Sequence, residues 1–184
     1  MSKFNNEFDG NNTKLFIMRI TLSKIALFLL VSISMVSCSK EEEATAAPVV
    51  NTAQLNAKYS YIAEEEEVLA LINNYRVNIG LNSLEKVDYI SFKSEEHDKY
   101  MISTGQMTHN FFQDRYENIV QALGATNVSE NLAYNFNSAE AVFNAWLNSP
   151  SHKANIDGNF THFGISIRAN AEGKKYYTNI FMKK

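Results

Sequence analysis

Three helical stripes come before the first strand-like run, and that order restricts the fold more than any other feature of the sequence. Glu64-Glu65-Glu66-Glu67 opens the first predicted helix and places carboxylates at its positive N-terminal end. Val68, Ile72, Tyr75 and Ile79 follow at helical spacing, and Gly80 ends the run. The second helix is predicted over 86–104, with Val87, Ile90, Ser94, His97 and Met101 on one stripe and Gly105 behind it. The third spans 114–123, carries Tyr116, Ile119, Val120 and Leu123, and closes at Gly124. Only then does VSENLAY, 128–134, alternate as a strand does. A fourth helix starts behind the N-cap candidate Ser138 and stops before Pro150. FGISIRAN and KYYTNIFMK are two further strands, separated by the turn residues Ala171-Glu172-Gly173. Helices first, then strand, helix and terminal hairpin make an α+β domain with helices against a small sheet.

The segment ahead of these elements has a different character. IALFLLVSISMVSC, 25–38, is nearly free of charge and ends on the chain's only cysteine. It is shorter than the ~20 residues a membrane-spanning helix needs. Arg19 and Lys24 lie just upstream, giving the charged, apolar, small-residue order of a secretory signal. Met18 is the expected start, so that 1–17 form an N-terminal extension and 18–37 the signal peptide. Met35-Val36-Ser37-Cys38 resembles a bacterial lipobox, which implies a lipid on Cys38 and attachment to a membrane. SKEEEATAAPVVNT then reads as the start of a flexible tether over 38–62. Lys40-Glu41-Glu42-Glu43 resembles an acidic surface-export signal and equally fits a solvated charge run. Residues 63–184 remain for the folded domain, enough for one core, with no cysteine left for a disulfide. A net charge of −3 without a basic patch gives no reason to expect nucleic acid as a partner.

Within the domain, Glu130 is the residue whose position asks for an explanation. It has the strand parity of Val128, Leu132 and Tyr134, so it shares their apolar face. A carboxylate there is expensive unless it is paired or hydrogen-bonded. It is therefore a site residue or a buried structural acid. Glu140 shares a polar helix face with Asn144 and Asn148, where the helix dipole alone accounts for it. His97 sits on a core stripe and reads as a satisfied core histidine. His109 follows a helix end, and His152 follows Pro150 in a small-residue turn.

The order of these pieces resembles the CAP superfamily of cysteine-rich secretory, antigen 5 and pathogenesis-related proteins, in its compact bacterial branch. The resemblance is carried by LINNYR (71–76), HDKYMISTGQMTHN (97–110), SENLAYN (129–135), EAVFNAWLNSPSHKANI (140–156) and NFTHFGISI (159–167). It implies a three-layer α-β-α sandwich with a small antiparallel sheet and a cleft lined by two histidines and two glutamates. Carried over position by position, these are His109, Glu130, Glu140 and His152, with His162 as the competing second histidine. Ser129 and Ser151 stand where the family usually has glycine.

Neutral imidazoles and carboxylates are ligands of a divalent metal ion, zinc or another, and a His–Glu pair also suits acid–base work. No Gly-x-Ser-x-Gly elbow or His-Glu-x-x-His helix supplies a nucleophile or a local metal site. The leading expectation is an extracytoplasmic binding module, lipid-anchored to the outer membrane and facing the cell surface, with a cleft for a divalent cation or small ligand. A metal-assisted hydrolase acting on peptide or cell-envelope material and a structural or adhesion domain are the alternatives.

Overall fold

The computed structural model describes residues 50–184. The expected extension (1–17), signal peptide (18–37), lipidation site Cys38 and the first part of the tether lie outside the described residues.

The elements run α1 (Thr52–Leu55), α2 (Ala63–Asn78), β1 (Glu85–Lys86), α3 (Asp88–Thr104), α4 (Phe112–Leu123) and β2 (Asn127–Tyr134), then α5 (Ala139–Asn148), α6 (Pro150–Ile156), β3 (His162–Ala169) and β4 (Lys175–Lys183). Each helix and strand predicted from the sequence is present. The strands form one sheet in the order β1-β3-β4-β2. β2, β4 and β3 are antiparallel neighbours, whereas β1 runs parallel to β3 through Glu85 and Lys86. The sheet is therefore mixed, not wholly antiparallel as expected. Two residues of strand were too few to show a period in the sequence.

Helices cover both faces and make the three layers. On one face, Val68 and Ile72 of α2 and Val142, Phe143 and Trp146 of α5 pack on Phe163, Ile165, Tyr177 and Phe181. On the other, Ile90 of α3 and Ile119 of α4 pack on Val128, Ile180 and Met182. Trp146, the only tryptophan, is buried and donates its indole N–H to the Leu132 carbonyl at 2.9 Å. The alternation of apolar side chains along each strand produces this two-sided core.

Two parts of the chain differ from the sequence reading. Residues after Pro150 form a short helix where a turn was expected. Pro150 occupies its first turn, where the missing N–H is no loss, and Ser149 before it is extended at φ −100°, ψ 117°. One proline thus ends α5 and starts α6. The last part of the expected tether also belongs to the domain. Tyr59 is buried, sets its ring edge against Phe92 and donates its hydroxyl to Glu65, and Tyr61 hydrogen-bonds Ser91.

Two close fits fix the layers. The guanidinium of Arg76, fully buried, donates to the carbonyls of Asn82, Ile156 and Gly158 and thereby pins the end of α6 to α2. Gly164 lets α3 approach β3. A Cβ there would lie 2.6 Å from the Ser91 backbone nitrogen and 2.8 Å from the Ile90 Cβ. Both are shorter than real contacts, and the neighbours are helix backbone and core. Gly164→Ala is expected to destabilise the domain by about 1–3 kcal/mol through overpacking, read from urea denaturation midpoints.

Candidate functional site

β2 is an edge strand, and the site forms along that edge. Glu130 lies on the face covered by α3 and α4, opposite Ile180 of β4. Its side chain is 1% exposed. Burial of that carboxylate is compensated by Arg115 of α4, which donates Nε to Oε2 and Nη2 to Oε1, both at 2.9 Å. This two-pronged contact is the geometry that best matches guanidinium to carboxylate. Arg115 also donates Nη1 to the Asn110 carbonyl at 2.9 Å, so it holds the loop before α4. Burial pulls the guanidinium below its usual pKa, and the Glu130 charge pushes back.

That loop carries His109, whose Nδ1 meets Glu130 Oε1 at 2.8 Å. A carboxylate already holding two guanidinium N–H groups can only accept, so Nδ1 carries the proton. Nε2 makes no hydrogen bond among the described residues, on a ring that is 56% exposed. His97 of α3 supports the same loop by donating Nε2 to the Thr108 carbonyl at 2.7 Å. It is the satisfied core histidine expected from its stripe. Its pKa is lowered by burial first and by the Arg115 charge second, so it is neutral at pH 7.

His152 approaches from the other side of the β2 edge on α6. Asn155 donates Nδ2 to the Glu130 carbonyl at 3.2 Å and to Asn131 Oδ1 at 2.8 Å, and Asn131 donates to the His152 carbonyl at 3.0 Å. These bonds fasten α6 along the edge. The half-buried His152 ring makes no hydrogen bond among the described residues. Burial lowers its pKa, and the charge of a protonated His109 lowers it further, so the two imidazoles sense each other. Neither Ser129 nor Ser151 has a left-handed backbone, so the serines carry no strain in place of glycine.

Glu140 and His162 have other partners. Glu140, at the start of α5, shares a hydrogen bond with Glu67 of α2, which raises the Glu67 pKa. No ion pair or hydrogen bond joins it to His109, Glu130 or His152 among the described residues. His162 is on β3, two strands from β2, beside Thr161 Oγ1 at 2.7 Å and Glu85 at 3.5 Å. The sequence reading missed Arg115, Asn131 and Asn155. Arg115 was legible by the reasoning applied to Glu130, because it lies four residues before Ile119 on the buried stripe of its helix.

The donor set limits what a metal can find here. Glu130 gives both oxygens to Arg115 and one also to His109. Among the described residues no group of three His, Cys, Asp or Glu side chains is placed to hold an ion. The side chains of the expected set with a ring nitrogen left uncommitted are those of His109 and His152. They do not form a closed structural centre.

The sequence profile of the cysteine-rich secretory protein family, CAP, matches residues 69–181. The chain belongs to this family. It is 30% identical over 126 residues to YlbC, an uncharacterised membrane protein of Bacillus subtilis, and spans 34% of that protein's length. An outer surface protein of Borrelia burgdorferi shares the fold with a TM-score of 0.60 at 23% identity, over 68% of this chain and 98% of that one. An extracellular protein with an SCP domain from Bacillus anthracis gives 0.58 at 23% identity, over 66% and 40% of the respective chains. This CAP domain thus has the α-β-α architecture of bacterial relatives.

Two outcomes follow from the site. Glu130→Ala strands the buried Arg115 charge and is expected to cost about 3–5 kcal/mol in urea denaturation, while Glu140→Ala leaves the midpoint unchanged. The pKa values of His97 and His152 are lower in the folded chain than their ordinary 6.5. Below that pH the unfolded chain binds more protons, so stability present above about pH 6.5 is lost as pH falls through the folded values. The melting temperature is expected to drop between about pH 7 and pH 5, with a shallower drop in His97→Gln.

Proposed function

We propose that this CAP domain is an extracytoplasmic binding module, lipid-anchored through Cys38, whose cleft presents the imidazoles of His109 and His152 to a divalent cation or a small ligand. The observation that carries this reading is the fixed tautomer of His109. Its Nδ1–H is committed to Glu130, so in the neutral ring the lone pair is on Nε2, which no described residue engages. A carboxylate behind an imidazole is the arrangement that orients a histidine ligand and raises its basicity. His152 is half-buried and neutral at pH 7, as a ligand histidine must be. A divalent ion bound there would supply positive charge and open coordination positions to the ligand.

Placement outside the cytoplasm is supported by the family's secretory character, by the membrane protein YlbC and by the Borrelia outer surface protein. The outer membrane is the expected anchor, following from the lipobox-like residues before Cys38. The His109–Glu130 pair also has the form of a general base, so a hydrolase acting on peptide or envelope material is the second reading.

Calorimetric titration of the full chain with zinc at pH 7.5 tests the first reading. His109→Ala and His152→Ala are each expected to abolish measurable binding, and Glu130→Gln to weaken it by about 10–100-fold. Equal affinity in both histidine variants and wild type would refute a shared imidazole site.

A further inference from the structure

Among the described residues three carboxyl side chains are buried, those of Glu65, Asp98 and Glu130. Two of them are held as an ionised carboxylate requires. Glu65 accepts from the Tyr59 hydroxyl, from the backbone N–H groups of Ile62 and Ile167 and from the Arg168 guanidinium. Glu130 accepts two N–H groups from Arg115 and one from His109. Each thus has a guanidinium and further donors to replace water.

Asp98 of α3 has neither. It is fully buried, and one donor reaches it, the Thr178 hydroxyl, 2.6 Å from Oδ1. Oδ2 has no hydrogen-bond partner among the described residues. Ser166 of β3 stands opposite Thr178 of β4 in the register, and its hydroxyl is also without a partner there. The two guanidinium groups in the neighbourhood are committed to other acids, Arg168 to Glu65 and Glu95 and Arg115 to Glu130. A carboxylate with so little compensation is not kept as a buried charge. It takes up a proton.

We propose that Asp98 is the neutral acid in the folded domain at neutral pH, which makes the seat of α3 on the sheet a proton-dependent contact, strongest in mild acid. The groups around it agree. On α3 its chain neighbours are His97 and Lys99. β3 faces it with Ser166 and Arg168, β4 with Thr178 and the field of Tyr177, α2 with Glu65 and α4 with the field of Arg115. Tyr59, ahead of α2, lies next to Ser166. Burial raises the carboxyl first. The two hydroxyls and the Arg168 charge pull it back, and the Glu65 charge adds to the rise.

The sign is opposite to that of the buried histidines. The unfolded chain releases this proton near the ordinary 3.8, whereas the fold retains it to a much higher pH. Stability from Asp98 is therefore fully present below the unfolded value and is lost as pH rises towards the folded one. One carboxyl acting against His97 and His152 blunts the loss of stability in acid without reversing it.

Urea denaturation of the full chain in detergent, wild type beside Asp98→Asn, at pH 5, 6 and 7 tests the proposal. A carboxamide keeps the shape, can donate to Ser166 and cannot ionise. The ratio of wild-type to variant unfolding constants is expected to rise about tenfold per pH unit, about 100-fold over the range. Both proteins share the histidines, so the ratio isolates Asp98. A ratio that is constant, or that levels off before pH 7, would overturn the proposal. Carbon-13 NMR of wild type labelled at the aspartate carboxyls serves if the variant does not fold. One aspartate signal at the protonated position, unmoved from pH 5 to pH 7, is expected, and a spectrum in which every aspartate is ionised at pH 7 would overturn it.

Discussion

The ion pair between Glu130 and Arg115 is the interaction on which the arrangement around β2 depends. A carboxylate with 1% exposure in the middle of a strand is tolerable only with a partner, and Arg115 meets both oxygens. Because the pair is buried, neither member can relax into water, so α4 is held against β2 at a fixed distance. Arg115 then holds the Asn110 carbonyl, and Glu130 holds the His109 ring. The position and tautomer of one exposed imidazole are thus set by two buried charges. The pair also neutralises itself, and with both Glu130 oxygens engaged the polar group left toward solvent is the His109 imidazole.

The second requirement is that α6 lie along the free edge of β2. Three features combine to place it. Pro150 breaks the helical path at Ser149 and restarts it one residue later. Asn155 and Asn131 bind the helix to the strand edge, satisfying backbone groups that an open edge would expose. Arg76 collects the carbonyls beyond its C-terminal end. The same contacts that hide the sheet edge hold α6, and with it His152, against the strand that carries Glu130.

Polar groups elsewhere in the core are arranged by the same economy. Glu65 accepts from the Ile167 backbone N–H and from Arg168, completing β3 beyond the short β1 partner. Ser91 does the same for Ile165. Asp98 is buried with Thr178 as its donor, and burial holds its carboxyl well above the usual range, toward the neutral form. Such groups fix the register of α2 and α3 on the sheet, and the segment around Tyr59 closes over them.

The sequence by itself determined the long elements, the two-sided core and the strand face of Glu130. Each of these follows from a local period of 3.6 or 2, which neighbouring residues express without help from the rest of the chain. It also marked His109, Glu130, Glu140 and His152 as members of one site, with His162 as the competing histidine, through their likeness to a family. Tertiary structure decided what those residues do there. Arg115 becomes the partner of Glu130 only when α4 lies on β2, fifteen residues apart in sequence. Glu140 finds Glu67 as a hydrogen-bond partner because α5 packs on α2. His162 is kept from the site by the strand order, which puts β4 between β3 and β2. Strand order, helix docking and the capture of a two-residue β1 arise from contacts between distant residues, and a local pattern carries no record of which distant partner will be chosen.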